Sequence, residues 1–353
     1  MKCVTTGVAG IAAGLCVFLG LPGAAGCAVP PIWLPNFADW PVNLAGYELE
    51  TLPVSLAASY ARGSRVYLGL ADGGIHRADD DLSLPWTDLR SPLTEGPRMI
   101  FASKAGAVFA SANGKPIWRT ADNGETWSVC LDVPVWRMDE DDSGALYAGN
   151  YTQDNEHIAT LYKSTDDGAT WSVIRQDGRN RHIHTVRWDD RAKRLYIAYG
   201  DASASRGQAY SDDRGATFHV LAEGRGQGHT DVAVLRDYVL WASDDQSGRV
   251  IRVSRQSGLA EELMGWSQFM WFAVADDEQV FVGTMTSRKE GGERAALLAS
   301  SDQGATWQKL LETSPSRGPY GEGFAAESRE LSAGGWLYVA GGGQSYRVRK
   351  VPG

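Results

Sequence analysis

One eight-residue phrase returns four times in this chain with small edits. It reads Thr120-Ala121-Asp122-Asn123-Gly124-Glu125-Thr126-Trp127, then Ser164-Thr165-Asp166-Asp167-Gly168-Ala169-Thr170-Trp171. It comes back as Ser211-Asp212-Asp213-Arg214-Gly215-Ala216-Thr217-Phe218 and as Ser300-Ser301-Asp302-Gln303-Gly304-Ala305-Thr306-Trp307. Self-similarity at intervals of tens of residues restricts the chain to architectures built from stacked copies of one small unit.

The phrase has the chemistry of a locked hairpin turn. The Asp carboxylate accepts hydrogen bonds from backbone N–H groups that follow it. Gly two residues later supplies a positive φ without a Cβ penalty. Thr-Trp then re-enters a strand, where β-branched and aromatic side chains suit a half-buried pleated surface. Strict alternation would continue through Trp127-Ser128-Val129, Trp171-Ser172-Val173 and Phe218-His219-Val220. Asp122, Gly124 and Trp127, Asp166, Gly168 and Trp171, Asp213, Gly215 and Phe218, and Asp302, Gly304 and Trp307 are therefore read as structural residues on the outer part of a sheet.

The pattern Ser-x-Asp-x-Gly-x-Thr-Trp resembles the Asp box of the BNR-repeat superfamily, which includes sialidases, sortilin-type receptor domains, some glycoside hydrolases and photosystem assembly factors. The resemblance implies a β-propeller. It does not by itself imply sialidase activity, because function resides in a site rather than in a fold.

A second signature counts the blades. Short apolar strands ending in small residues occur at Val66–Gly69, Val108–Ser111, Leu146–Gly149, Leu195–Ala198, Val239–Ala242, Val280–Gly283 and Leu337–Ala340. Their spacing of roughly 40–55 residues suits four-stranded blades. The expected fold is all-β, a closed propeller of antiparallel blades, seven-bladed with six as the alternative. The turns near His76–Asp81 and Val253–Gly258 read as degenerate copies. After Leu337–Ala340 one strand remains, so the alternating segment Tyr47–Leu52 is expected to complete the last blade and to remove an exposed edge. Abundant Gly (41) and Trp (13), with no stretch of helical apolar spacing, agree with an all-β toroid.

Residues 1–26 read as a secretory signal: Met1-Lys2, an apolar stretch Val8–Leu21, then Pro22-Gly23-Ala24-Ala25-Gly26. Ala24-Ala25-Gly26-Cys27 resembles a lipobox, which would make Cys27 the lipidated residue of a bacterial envelope protein. Residues 27–43 are a Pro-rich tether and residues 44–353 a single propeller domain. The expected location is periplasmic or cell-surface, with the membrane met only through a lipid anchor. A net charge of −9 disfavours nucleic acid as a partner. Cys130 reads as a small apolar residue. The chain is expected to be a monomer.

The candidate chemistry lies where the innermost strands begin, because those starts are scattered in sequence and converge in space. Taken in turn they hold Arg98, Trp136, Arg137, Arg181, His182, His184, His229, Asp231, Gln268, Trp271, Tyr320 and Glu322. Period-2 alternation places His182 and His184 on one side of a strand. With His229 they could hold a divalent metal, form a general-base pair, or simply hydrogen-bond neighbouring blades. The pattern leaves the cofactor unknown and is compatible with a divalent metal. Arg98, Trp136, Arg137, Arg181, Gln268 and Trp271 are candidate substrate contacts, since guanidinium grips carboxylate and indole stacks on a pyranose. His182, His184, His229, Tyr320 and Glu322 are the candidate catalytic groups.

Three functions are compatible with these residues. A polysaccharide lyase needs a cation, a base and an acid, and Arg, His and Tyr supply all three types. A sialidase needs an Arg-Ile-Pro motif and a Tyr/Glu pair; Pro97-Arg98-Met99-Ile100 lacks the following Pro, which makes a true sialidase the poorer match. A non-catalytic scaffold would bind an envelope protein or exopolysaccharide, using loops such as 150–157 and 287–294. The leading expectation is an exported propeller that binds or processes an anionic glycan, with the envelope scaffold as its alternative.

Overall fold

Each repeat folds into one four-stranded antiparallel sheet, and seven such sheets make up the ring in the computed structural model of the protein. It describes residues 40–152, 158–200, 207–223, 228–244, 248–263, 268–286, 294–315 and 323–351. The signal segment, Cys27, most of the tether, Tyr320, Glu322 and most of the two long loops lie outside the described residues. Among the described residues there is no helix.

The innermost strands, blade by blade, are Leu56–Arg62, Met99–Ala102, Val135–Glu140, Ile183–Asp189, His229–Val234, Phe269–Ala275 and Phe324–Ala325. The seven apolar signatures form the second strands, which are sandwiched between neighbouring blades and almost wholly buried. The alternative of six blades is thereby excluded. Tyr47–Thr51 pairs antiparallel with Gln344–Lys350 as the outer strand of blade seven. Arg347 and Arg349 project from one side of that pair, each bonded to a carboxylate of the N-terminal strand (Glu50 and Glu48, both at 2.7 Å), and both lie over the Trp336 ring. Between blades one and seven, the Ser59 hydroxyl donates to the Tyr338 carbonyl and the Ala61 N–H to the Ser328 hydroxyl.

The four Asp turns share one geometry. In each, the Ser or Thr hydroxyl donates to the Asp Oδ1, which also accepts the N–H of the Thr four residues further on; Oδ2 takes the hydroxyl of that Thr at 2.6 Å. The residue before the Gly is also left-handed, at φ 57° in Asn123, Asp167, Arg214 and Gln303. The turn also reaches the preceding blade. Arg119 Nε donates to the Asp167 carbonyl (2.7 Å), Lys163 Nζ to the Arg214 carbonyl (2.9 Å) and Arg252 to the Gln303 carbonyl (3.4 Å). Arg77 bonds the Asn123 side chain, and Arg347 caps the Asp80 carbonyl in the degenerate turn of blade one. All five cations sit opposite the second residue of a signature strand: Tyr67, Phe109, Tyr147, Leu240 and Tyr338. Blades four and six carry Tyr210 and Ala299 at that place, and the blades that follow them have no Asp turn. The Asp turn is therefore an interblade clasp as well as a hairpin.

Alternation after the turn does not hold. A β-bulge interrupts the pairing of third and fourth strands in blades two, three, four and six, which are the four with Asp turns. The extra residue (Cys130, Ile174, Leu221 or Leu310) turns inward, and in blades two to four the preceding Val129, Val173 and Val220 are left 45–51% exposed.

Bonds from the Thr side chains and backbone hold the carboxyls of Asp122, Asp166 and Asp213 down at about 2. A depressed folded-state value means that these turns stabilise the fold fully above the ordinary Asp value and lose that contribution on acidification. The Thr126, Thr170 and Thr217 amide resonances should therefore titrate with midpoints near pH 2, and stability should fall between about pH 4 and pH 2. Midpoints near 4 in an NMR titration would show that the bonds are not kept in solution.

Candidate functional site

The Asp turns join third to fourth strands, whereas the candidate residues stand at the starts of first strands. In an antiparallel blade those positions lie at opposite ends, so the candidates gather at the channel mouth on one face of the ring and the clasps on the outer part of the opposite face. Five innermost strands carry a second kind of bulge near that mouth. The residues at four of these irregularities are Trp136 with Arg137, His184, Thr230 and Trp271. A bulge re-aims a side chain out of the pleat, and here that places functional groups at the channel.

Trp136 is the centre of the cluster. Its ring lies 4.8 Å from Trp271, 4.9 Å from Tyr151 and 5.0 Å from His184. The Arg98 guanidinium covers both indoles, 4.5 Å from Trp136 and 5.0 Å from Trp271, and Arg137 lies 4.4 Å from the Trp136 ring. Trp136 is fully buried, so it is a pedestal for the cations rather than an open stacking face; Trp271 is half-buried.

Below this cluster, buried charges cross the channel. Asp231 Oδ1 accepts from Arg329 (3.0 Å), the Thr185 hydroxyl (3.1 Å) and the Val232 N–H; Oδ2 accepts from the Ala273 N–H and lies 3.5 Å from Arg137 Nε. Arg137 also donates to the carbonyls of Thr230 and Trp271, and Arg329 to the Thr185 hydroxyl and the Val186 carbonyl. Glu327 lies 3.7 Å from both Arg98 and Arg137. Burial opposes ionisation of Asp231, yet Arg137 and Arg329 hold its carboxyl below the usual range. Burial wins at Glu327 and pushes its carboxyl up, against the pull of Arg137 and Arg98. Glu327, Arg329 and Thr185 are site residues that the strand-start pattern does not reveal.

His182 and His184 meet. Their rings stack at 4.9 Å with Nε2 to Nε2 at 3.0 Å, His182 Nδ1 is 2.6 Å from the Thr152 carbonyl, and His184 Nδ1 is 3.1 Å from the His229 carbonyl. Carbonyl oxygens only accept, so these partners assign the hydrogen of both rings to Nδ1. The two Nε2 atoms then face each other as acceptors, and Asp244 Oδ2 stands 3.6 Å from His184 Nδ1. His229 turns elsewhere: its ring meets the Gln208 amide (2.7 Å) and packs edge-on to Trp241. The three imidazoles do not converge on one point, and among the described residues no group of three His, Cys, Asp or Glu is placed to hold a metal. All three are at most 1% exposed.

Gln268 is occupied within its own blade, donating to the Arg294 carbonyl and accepting from the Thr284 hydroxyl. Arg181 is half-buried directly before His182. Tyr320 and Glu322 lie outside the described residues.

Fold and mouth together define a seven-bladed β-propeller with a cationic, aromatic channel mouth. No protein-family model matches the chain, and no curated protein matches it. Among solved structures it is similar to YCF48 bound to D1 peptide, with a TM-score of 0.54 and 13% identity, over 87% of this chain and 96% of that one. It is also similar to the GH74 xyloglucanase from Xanthomonas campestris, with a TM-score of 0.55 and 17% identity over 75% of this chain, spanning 47% of that enzyme. Both are seven-bladed propellers, and at such identities the likeness is one of fold.

Proposed function

We propose that this protein is an exported propeller of the BNR type that binds an anionic carbohydrate at its channel mouth without processing it there. One observation carries the reading. The Arg98 side chain, 22% exposed above Trp136 and Trp271, has as its described carboxylate neighbour Glu327, which burial drives toward the neutral form. A partly exposed guanidinium on an aromatic bed favours a carboxylate on a sugar ring. Binding is preferred to catalysis because His182, His184 and His229 are buried and bonded to neighbours, while the buried carboxylates Asp231 and Glu327 face arginines.

Export rests on residues 1–26, and tethering on Cys27 followed by a Pro-rich segment. Similarity to YCF48 bound to D1 peptide over nearly the whole of both chains favours a second reading, an acidic peptide on the same Arg98 bed.

The test is titration of purified protein with polygalacturonate, while near-ultraviolet absorbance follows any unsaturated uronate. Saturable binding without product is expected, weakened about tenfold or more by Arg98→Ala, the value of one charge-assisted contact. Release of unsaturated or reducing sugar would overturn the non-catalytic reading. Binding unaffected by Arg98→Ala would remove the channel mouth as the site, and preferential binding of an acidic peptide would select the second reading.

A further inference from the structure

Arg98 and Glu327 stand close together at the channel mouth without closing on each other. Glu327 lies between two guanidinium groups, with Oε1 3.7 Å from Arg98 and Oε2 3.7 Å from Arg137 Nε. Both separations exceed hydrogen-bond length, whereas charge-assisted bonds of this kind normally close to about 2.7–2.9 Å. Glu327 Oε2 is buried with no hydrogen-bond partner among the described residues. The Arg98 guanidinium likewise makes no hydrogen bond among the described residues and rests on the Trp136 and Trp271 rings. Arg137 is committed elsewhere, to the carbonyls of Thr230 and Trp271 and to Asp231 at 3.5 Å. Arg98 is therefore the cation that Glu327 can gain or lose.

The Glu327 side chain is only 3% exposed, so its charged form depends on the cations around it. Arg98 of blade two and Arg137 of blade three face it, and Asp231 of blade five and Arg329 of its own blade act on it as well. Burial outweighs the arginines and pushes its carboxyl up. A ligand carboxylate on Arg98 would engage one of these cations and bring a like charge beside Glu327, and both changes strengthen its hold on a proton. We infer that Glu327 is a proton-controlled competitor for Arg98: protonated, it leaves the guanidinium to a ligand carboxylate, and ionised, it draws the guanidinium back. The inference rests on the reading of Arg98 as the ligand contact and adds its regulation, since binding is then tied to uptake of one proton from solvent. Glu327 holds that proton more tightly in the complex than in the free protein. Affinity is therefore full below the free-protein midpoint, falls by up to about tenfold per pH unit between the two midpoints, and levels off above the second.

Polygalacturonate binding measured between about pH 5 and pH 8 is the test, because the ligand carboxylates stay ionised over that range. The wild-type protein should lose about tenfold or more in affinity as the pH rises. Glu327→Gln, which keeps the shape of a neutral carboxyl group, should bind with little pH dependence and at least match the wild type at the upper end. Its melting temperature is checked alongside. Calorimetry in buffers of different ionisation enthalpy should show proton uptake on binding by the wild type and none by Glu327→Gln. His184 packs against Trp136, and histidine is the side chain that ordinarily titrates in this range. A pH slope retained in Glu327→Gln would therefore overturn the proposal, as would a flat profile in the wild type. Binding at no pH would overturn the channel-mouth reading and this inference with it, whereas binding with a flat profile would overturn the role of Glu327 alone.

Discussion

Asp231→Ala should destabilise the propeller by about 3–5 kcal/mol, the usual effect of removing one partner from a buried charge network. Asp231 is 1% exposed and receives Arg329 from blade seven, Thr185 from blade four, Arg137 from blade three and the Ala273 N–H from blade six. Alanine would leave two guanidinium groups buried with less compensation, and Glu327, already disposed toward its neutral form, is a poor substitute. The loss should be mainly a penalty for stranded charge rather than the net worth of the interaction. Asp231→Ala combined with Arg329→Met should therefore be less destabilised than the sum of the single variants, because the second change removes one of the stranded charges. Chemical denaturation of the four proteins gives the coupling directly. A destabilisation below about 1 kcal/mol for Asp231→Ala would show that the channel charges are solvated and not a structural hub.

The blades were legible because each copy of the Asp turn and of the signature strand is local, and local chemistry survives in the sequence. The same applies to the strand starts: Trp136, Arg137, His182, His184 and Trp271 do gather at the mouth. What was not legible depends on bulges and on blade neighbours. Period-2 reasoning places Val129, Val173 and Val220 beside their aromatic partners, but an extra residue in each outer strand turns them to solvent. Glu327 and Arg329 escaped because the innermost strand of blade seven is only Phe324–Ala325, so the charges beyond it read as loop. Gln268 has the look of a ligand contact and is consumed by Arg294 and Thr284, partners visible only once the ends of its own blade meet. Arg119 and Lys163 are plain surface cations until the following blade supplies a carbonyl for each.

Gly124→Ala should be the most damaging single methyl in the molecule's clasps. Gly124 has φ +86°, and a Cβ there would stand 2.1 Å from the Leu89 carbonyl oxygen and 2.5 Å from its carbon. Those atoms are backbone of the preceding blade, so no rotamer change can relieve the overlap. The same Leu89 carbonyl accepts the Trp127 indole N–H at 2.8 Å, so displacing it also breaks the bond that seats the aromatic end of the phrase. Left-handed strain of about 1–2 kcal/mol and overpacking of about 1–3 kcal/mol should combine to roughly 2–5 kcal/mol. Gly114 separates the two effects, since it has φ +67° and nothing within 4 Å of the place a Cβ would take. Gly114→Ala should show the conformational strain alone, at about 1–2 kcal/mol. Equal losses in the two variants, measured by denaturant titration, would mean that blades one and two can separate locally without resistance. A larger loss at Gly124 would place the main role of the glycine in the phrase between blades, where it permits backbone to approach backbone, rather than within the hairpin it closes.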